Sequence, residues 1–371
     1  MLRSNKKPVP AADAAALDDN KKTRSLPRGL DLFVTAALTL LGFYHIYVGF
    51  FGAKSAMELR SVHWLVISVV IFLIYPAAKG SVRRVTAFDW LWLALAAASG
   101  LYILLNWERI ALNAGIVNTT DILFGVVAIA VVLESARRSI GPVLAGLGGV
   151  FLAYGLWGHL IPGVLGHRAY SVNRIVTFLY TGTEGIYGTA MDVSAKYVAL
   201  FVLFGALLEA FGGGQLFVDI AYSLTGRMRG GPAKAAVVSS ALMGTMSGSA
   251  VANVVTTGAF TIPLMKKNGY RAHVAAAVEA VASTGGQIMP PVMGAAAFLM
   301  AEMTGISYSE IMIAALIPAF FYFFAIFMMV DLEAAKESIP VPEDDQIKPL
   351  GQILRTGGYL IAPLALLVFM I

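Results

Sequence analysis

Several apolar runs in this chain exceed the roughly 18 residues that mark a membrane-spanning helix. The first covers residues 30–51, and the other predicted spans are 62–78, 88–107, 122–136, 142–162, 194–212 and 310–330. The composition agrees, because 58% of the residues are hydrophobic and 13% are charged, against roughly 45–50% and 25% in soluble domains. We therefore predict an all-α integral membrane protein, a multi-span helical bundle, and exclude a soluble fold.

The placement of the basic residues predicts the orientation of the chain. Residues 1–28 are polar and small and include seven basic side chains, so we predict a disordered cytoplasmic tail. Basic residues also concentrate in the loops at 79–89 and 135–141, and Lys and Arg favour the cytoplasmic side of a membrane. This pattern reports orientation rather than nucleic-acid binding. We predict a multi-pass membrane protein, with its N-terminus in the cytoplasm and lipid around it.

Residues 235–265 are too long to cross a membrane as one straight helix. At 1.5 Å per residue they would measure about 46 Å, whereas the hydrocarbon core is about 30 Å thick. The serines and glycine at residues 247–249 favour a break in the helix. Lys266 and Lys267 directly follow the segment, and a single crossing would place them outside. We therefore predict a re-entrant helical hairpin.

A second interrupted helix is predicted at residues 272–304. Its break lies at 284–291, where Pro290 and Pro291 lack N–H groups. They would free the carbonyls four residues earlier, those of Gly286 and Gln287. Bare carbonyls at membrane depth are tolerated only inside protein or beside a water-filled cavity. Two interrupted helices in succession are typical of a transporter binding site near the membrane midplane.

The two breaks supply groups that suit an anion and a cation. The helix that begins near Ala250 offers free N–H groups to a carboxylate, and the predicted substrate-binding residues are Ser249, Ala250 and Asn253. Hard cations take oxygen ligands, and the small number of nearby carboxylates favours Na⁺. The predicted metal ligands are Ser247, Ser249, Asn253, Thr284, Gly285, Gly286 and Gln287. We predict no cofactor, with Na⁺ as the coupling ion. Alternatively, Gly244-x-x-x-Gly248 is a small-residue packing patch.

Glu279 is an ionisable residue within an apolar segment, and two roles are open for it. It is a proton carrier, or it pairs with Lys234, Lys266 or Lys267 at the cytoplasmic edge. Enzyme signatures are mostly absent, since the five histidines form no HExxH motif. We predict that the chain is not an enzyme. The alternatives are an intramembrane enzyme that uses Glu279 and a non-transporting scaffold subunit.

Two stretches carry a family resemblance. They are GRMRGGPAKAAVVSSALMGTMSGSAVANVVTTGAFTIPLMKKNGY and AVEAVASTGGQIMPPVMGAAAFLMAE. They resemble the fused membrane permease of tripartite ATP-independent periplasmic (TRAP) transporters of the TAXI-associated type. The likeness is strong over about residues 180–335. By order and hydropathy, residues 29–163 resemble the small membrane subunit, which implies scaffold helices there and the large transport subunit at 164–371.

The resemblance implies an elevator-type secondary transporter of a bacterial or archaeal inner (cytoplasmic) membrane. Such a protein imports organic anions, usually carboxylates, by Na⁺ symport, and a TAXI-type periplasmic solute-binding protein delivers the solute. The last apolar run, 357–371, is only about 15 residues long, short of a full span. We therefore expect a truncated, N-terminal part of the permease that holds only the first of two inverted repeats. The second ion site would then lie beyond Ile371.

Overall fold

A computed structural model describes residues 23–78, 84–113, 116–341 and 347–370. The chain forms two compact units, Met1–Ala195 and Lys196–Ile371. We predicted scaffold helices at residues 29–163 and a transport subunit at 164–371. That boundary separates two functional roles, and it stays a prediction.

Seven α-helices form the described part of the first unit. They are α1 (Arg28–Phe51), α2 (Ala56–Ile74), α3 (Ala87–Leu112), α4 (Thr119–Ser139), α5 (Pro142–Trp157), α6 (Val172–Val176) and α7 (Thr189–Val193). Helix α3 begins with a capping box, in which Thr86 and Asp89 satisfy each other's backbone N–H groups. Buried side chains such as Ile103, Val131 and Tyr180 form the core between α2, α3, α4 and the segment after α6.

A buried network of charges joins the N-terminal residues to α3 and α4. Arg24 lies 2.8 Å from Asp89, and Arg138 contacts the other oxygen of Asp89 at 2.5 Å. Arg138 also pairs with Glu134 at 2.7 Å, and the Arg24 N–H donates to the carbonyl of Ile74. Residues 23–28 therefore differ from the disordered tail that we predicted, because Arg24 is held by buried partners. Residues 1–22 lie outside the described residues.

Nine α-helices form the described part of the second unit. They are α8 (Ala199–Ala210), α9 (Gly213–Thr225), α10 (Gly231–Ser247), α11 (Ala250–Lys267), α12 (Ala272–Gly285), α13 (Ala295–Thr304), α14 (Tyr308–Lys336), α15 (Leu350–Gly357) and α16 (Ala362–Met370). Fully buried alanines, including Ala236, Ala275 and Ala282, lie where α10, α11 and α12 meet. These small side chains allow the three helices to pack closely.

The described residues contain helices and no strand, which confirms the all-α prediction. Within them, eight helical stretches are long and apolar enough to cross a membrane. They are Arg28–Phe51, Ala56–Ile74, Ala87–Leu112, Thr119–Ser139, Pro142–Leu160, Thr189–Ala210, Tyr308–Lys336 and Leu350–Phe369. Each of the seven regular spans that we predicted corresponds to a different one of these stretches.

The last stretch begins earlier than we predicted. It starts at Leu350 instead of residue 357 and reaches 20 residues, because α15, the 3₁₀ turn Gly358–Ile361 and α16 follow one another without a gap. Gln352 and Arg355 interrupt the apolar pattern in α15, although Ile353 of the same helix is buried. The estimate of about 15 residues for this run was therefore wrong.

Candidate functional site

Helices α10 and α11 form a hairpin with a two-residue turn. Helix α10 ends at Ser247, Gly248 takes a left-handed conformation with φ of 58°, and Ser249 caps α11 by accepting the Ala252 N–H at 3.3 Å. The helices are antiparallel, because Ser240 lies 3.4 Å from Thr257, and these two residues are equally far from the turn. The break that we predicted at residues 247–249 is present.

A bend follows α12 and faces the hairpin. Helix α12 ends at Gly285, a 3₁₀ turn covers Gly286–Ile288, and the chain is non-helical until α13 begins at Ala295. We predicted bare carbonyls at Gly286 and Gln287, and this prediction was wrong. The two carbonyls accept the N–H groups of Met289 (3.3 Å) and Gly294 (2.7 Å). A carbonyl oxygen has two lone pairs, so each can still accept a further ligand.

The hairpin and the bend approach each other through their backbones. A Cβ atom on Gly244 would lie 2.5 Å from the α-carbon of Gly286. A Cβ atom on Gly248 would lie 2.3 Å from the carbonyl oxygen of Met293 and 2.6 Å from that of Val292. Only glycine fits at these two positions of the hairpin. The Gly244-x-x-x-Gly248 pattern therefore does serve packing, and it packs the hairpin against the bend.

A cavity of about 400 Å³ lies where the hairpin turn meets the bend. Ser247, Gly248 and Ser249 line it from the hairpin, and Gln287 and Gly294 line it from the bend. Phe201 and Phe298 contribute an apolar wall. The polar groups of this cavity are serine hydroxyls, one side-chain amide and backbone groups, which carry no formal charge.

The structure brings some of the predicted site residues together and separates others. Ser247, Ser249, Ala250 and Gln287 line the cavity. The other predicted residues lie elsewhere.

Asn253 is fully buried, and its Nδ2 donates to the carbonyl of Ser240 at 2.8 Å. Gly286 lies against this amide, since a Cβ on Gly286 would be 2.8 Å from Nδ2. Gly285 faces the ring of Tyr322. Thr284 is exposed and donates to the carbonyl of Ala280 at 2.7 Å.

Tyr308 holds the bend from the other side, and the sequence analysis missed it. Its hydroxyl donates to the carbonyl of Pro291 at 2.7 Å and accepts the Met293 N–H at 3.2 Å. Its ring stacks on Phe298 with centroids 4.4 Å apart, and Phe298 stacks in turn on Phe201. The only sign of this role in the sequence is an aromatic residue at the start of α14. Nothing in the sequence linked this residue to the prolines of the bend.

Glu279 is fully buried and lies beside the middle of the hairpin helices α10 and α11. Its carboxyl group contacts the hydroxyls of Thr257, Thr261 and Ser283. The hypothesis that it pairs with a lysine was wrong for Lys234, which instead lies 2.7 Å from Asp331 of α14. Thr257 and Thr261 are four residues apart, which places their hydroxyls on one face of a helix. This spacing was the sequence signal for a hydroxyl-lined face.

The cavity offers neutral oxygen ligands and the N-terminus of α11. Among the described residues, no group of three or more His, Cys, Asp or Glu side chains is placed to hold a metal ion. Neutral oxygens suit a weakly charged hard cation better than a divalent one, which usually takes several carboxylates. The N-terminus of a helix attracts an anion through its free N–H groups and its partial positive charge.

Comparison with known proteins connects this arrangement to a transporter family. A putative TRAP transporter large permease protein of Haemophilus influenzae is 31% identical over 129 residues, which are 35% of this chain and 30% of the relative. The C4-dicarboxylate TRAP transporter large permease protein DctM of Vibrio cholerae is 26% identical over 192 residues, 52% of this chain and 41% of the relative.

The 2,3-diketo-L-gulonate TRAP transporter large permease protein YiaN of Escherichia coli is a third relative. It is 30% identical over 130 residues, which are 35% of this chain and 30% of the relative. The chain thus spans between 30% and 41% of the length of these curated relatives.

A family model matches a larger part of the chain. The model of the tripartite ATP-independent periplasmic transporter, DctM component, matches residues 127–371. The match includes the hairpin, the bend, Tyr308 and Glu279. On this evidence the chain belongs to the DctM family of tripartite ATP-independent periplasmic transporter components.

Proposed function

We propose that this chain is part of a secondary transporter that imports organic anions, chiefly carboxylates, by symport with Na⁺. The observation that carries the proposal is the cavity between the hairpin turn and the bend. Membership of the DctM family supports it. The proposal includes a periplasmic solute-binding protein of the TAXI type as the partner that delivers the solute.

The groups around the cavity suit a sodium ion beside an anion. The hydroxyls of Ser247 and Ser249 and the carbonyls of the bend provide neutral oxygens, which are the ligands of hard cations. The N-terminus of α11 adds free N–H groups that favour a carboxylate. A cation and an anion that bind side by side stabilise each other through their opposite charges, so the arrangement supports coupling of one to the other.

The names of the relatives support the substrate class. They mention C4-dicarboxylate, 2,3-diketo-L-gulonate and isethionate, all of which are organic anions. For this chain we propose only that the substrate is an organic anion.

The proposed topology places the hairpin in the membrane as a re-entrant element. In this arrangement residues 235–265 enter and leave on the cytoplasmic side, the N-terminus is cytoplasmic, and the membrane is the bacterial inner membrane. The hairpin and bend move together as part of an elevator-type transport unit, with residues 29–163 as the scaffold. The backbone contact of Gly244 with Gly286 supports joint movement, because two backbones packed this closely leave no room to slide independently.

The test is sodium binding to the purified chain in detergent, measured by titration calorimetry with potassium as the reference cation. Ser249→Ala removes both a cavity hydroxyl and the cap of α11, and we expect a loss of sodium affinity of tenfold or more, about 1.4 kcal/mol. Ser307 caps α14 in the same way, by accepting the Glu310 N–H at 3.3 Å, and does not line the cavity.

Ser307→Ala is therefore the matched control. It removes the same kind of helix cap, which lowers stability by about 1 kcal/mol, and it should leave sodium affinity unchanged. Equal sodium affinity in the two variants and the unmodified chain would contradict the proposed site. A Na⁺-dependent uptake assay with the solute-binding protein present then tests coupling.

A further inference from the structure

A cavity of about 730 Å³ lies between α2 and α3, where the start of α2 meets the end of α3. Ser55, Glu58 and Ser61 line it from the side of α2, because residues three apart lie on the same face of a helix. Leu105 and Glu108 line it from α3. These lining residues all belong to the first unit, so the cavity is a feature of that unit alone.

The hydroxyl of Ser61 lies in the wall of this cavity without a partner. Ser61 is 0% exposed, and among the described residues no group forms a hydrogen bond with its Oγ. A buried hydroxyl is unfavourable unless a hydrogen bond satisfies it. Ser68, two turns later in α2, is equally buried, but its hydroxyl donates to the carbonyl of Leu65 at 3.1 Å. The Ser61 hydroxyl is therefore available to a ligand in the cavity.

The carboxylate of Glu58 is a second available group in the cavity. The residue is half-buried, and within the described part of the chain its carboxylate has neither a hydrogen bond nor a salt bridge. Lys54 is near enough to interact with it electrostatically, but the Lys54 ammonium binds Glu108 at 2.9 Å. One cation thus faces two carboxylates, and the cavity favours a second positive charge beside Glu58.

Exposed apolar surface lies directly beside these charged groups. Leu105, about one turn before Glu108 in α3, is 72% exposed and lines the same cavity. Trp107 lines it as well, five residues or about 8 Å before the end of α3. Tryptophan near the end of a membrane-spanning helix is typical of the membrane–water interface. A ligand that fits this cavity has a charged head and an apolar tail.

The available groups select the chemistry of the head. A primary ammonium has three N–H donors, which suit the two carboxylate oxygens of Glu58 and the oxygen of Ser61. A phosphate accepts hydrogen bonds from the Lys54 ammonium. These two charges are neighbours in an ethanolamine headgroup. A choline headgroup has no N–H to donate, and a glycerol headgroup has no positive charge to place beside Glu58.

We propose that the cavity between α2 and α3 binds one phospholipid with an ethanolamine headgroup. The lipid ammonium binds Glu58 and Ser61, the phosphate binds Lys54, and the acyl chains lie on Leu105 and the apolar surface around it. This site is separate from the cavity between the hairpin turn and the bend, and it does not rest on the proposed function.

The first test measures binding of short-chain phosphatidylethanolamine to the purified, delipidated chain in detergent by native mass spectrometry. Phosphatidylcholine and phosphatidylglycerol with the same acyl chains are the comparison lipids, and phosphoethanolamine tests the headgroup alone. We expect phosphatidylethanolamine to bind at least tenfold more tightly than either comparison lipid and than phosphoethanolamine. Equal binding of the three lipids would overturn the proposal, as would phosphoethanolamine that binds as tightly as the lipid.

The second test removes the charge beside the lipid ammonium. Glu58→Gln should lower the affinity for phosphatidylethanolamine tenfold or more, because a neutral amide does not attract a cation. Glu184→Gln is the matched control, since Glu184 is an exposed carboxylate of the same unit and does not line the cavity. It should bind the lipid as the unmodified chain does. Equal affinities of the two variants would contradict the site.

The third test compares two buried serines of α2. Ser61→Ala should weaken phosphatidylethanolamine binding threefold or more, and Ser68→Ala should leave it unchanged. In the lipid-free chain, Ser61→Ala should keep or raise the thermal midpoint, because the hydroxyl that it removes has no partner there. A lower midpoint of lipid-free Ser61→Ala would show that the protein itself satisfies this hydroxyl and would overturn the proposal. Equal lipid affinities of Ser61→Ala and Ser68→Ala would also overturn it.

Discussion

The backbones of Gly244 and Gly286 are in direct contact, so that a methyl group on Gly244 would lie 2.5 Å from the α-carbon of Gly286. Gly244 belongs to α10 of the hairpin, and Gly286 is the first residue of the bend after α12. This contact fixes where the hairpin and the bend meet.

Gly244→Ala should therefore destabilise the chain. In a helix interior, alanine is favoured over glycine by about 1 kcal/mol, but the overlap with backbone atoms costs typically about 1–3 kcal/mol. Gly149→Ala in α5 is the matched control, because no atom lies within 4 Å of the position that its Cβ would take. The thermal midpoint of the purified chain should fall for Gly244→Ala and stay or rise for Gly149→Ala. A rise in both would show that α10 and the bend can separate without cost.

Gly248→Ala should have a larger effect than Gly305→Ala. Both glycines have positive φ, 58° and 69°, so alanine pays a similar backbone penalty of about 1–2 kcal/mol at each. Gly305 has open space where its Cβ would lie, whereas the Cβ on Gly248 would meet the carbonyl oxygen of Met293. Sodium binding should weaken in Gly248→Ala alone, because only this turn lines the cavity. Equal loss of stability in the two variants would contradict the packing of the turn on the bend.

Single-cysteine labelling tests the re-entrant hairpin. The chain contains no cysteine, so Lys266→Cys and Ile306→Cys each introduce one thiol without background. If the hairpin returns to the cytoplasmic side, a membrane-impermeant thiol reagent added outside should label Ile306→Cys and leave Lys266→Cys unlabelled. Permeabilised cells, in which both thiols should react, are the control. Labelling of Lys266→Cys in intact cells would mean that residues 235–265 cross the membrane once.

Asp89→Asn should strongly destabilise the first unit. Asp89 is fully buried and binds two arginines, Arg24 and Arg138. Removal of one partner from a buried ion pair costs about 3–5 kcal/mol, because it leaves buried charge uncompensated. Glu108→Gln is the matched control, since the Lys54–Glu108 pair is mostly exposed and such pairs contribute about 1 kcal/mol or less. Similar unfolding temperatures for the two variants would contradict the importance of burial here.

The breaks in the helices could be predicted because their causes are local. Gly248 between two serines, and two prolines after paired glycines, disfavour helix in any surroundings. The spans could be predicted from hydropathy for the same reason. How the two breaks meet depends on the packing of the helices. The position of Asn253 behind the cavity, rather than in it, could therefore not be predicted from its spacing in the sequence.

The surroundings of Glu279 were hidden because the partners are far apart in the sequence. Thr257 is 22 residues before Glu279, and Ser240 is 39 residues before it. In an apolar helix, Ser and Thr also serve as small packing residues, so their type alone does not predict a cluster. Lys234 was one of three lysines that one hypothesis gave as a partner of Glu279, and the structure instead pairs it with Asp331, 97 residues later.

The charge network of the first unit has a consequence for biosynthesis. Asp89 binds Arg24, which precedes it by 65 residues, and Arg138, which follows it by 49. While the ribosome is still adding α4, Asp89 therefore has only its N-terminal partner, and the second arginine arrives after three helices have already been made. The buried charge network of this unit is therefore complete only after the end of α4 has been synthesised.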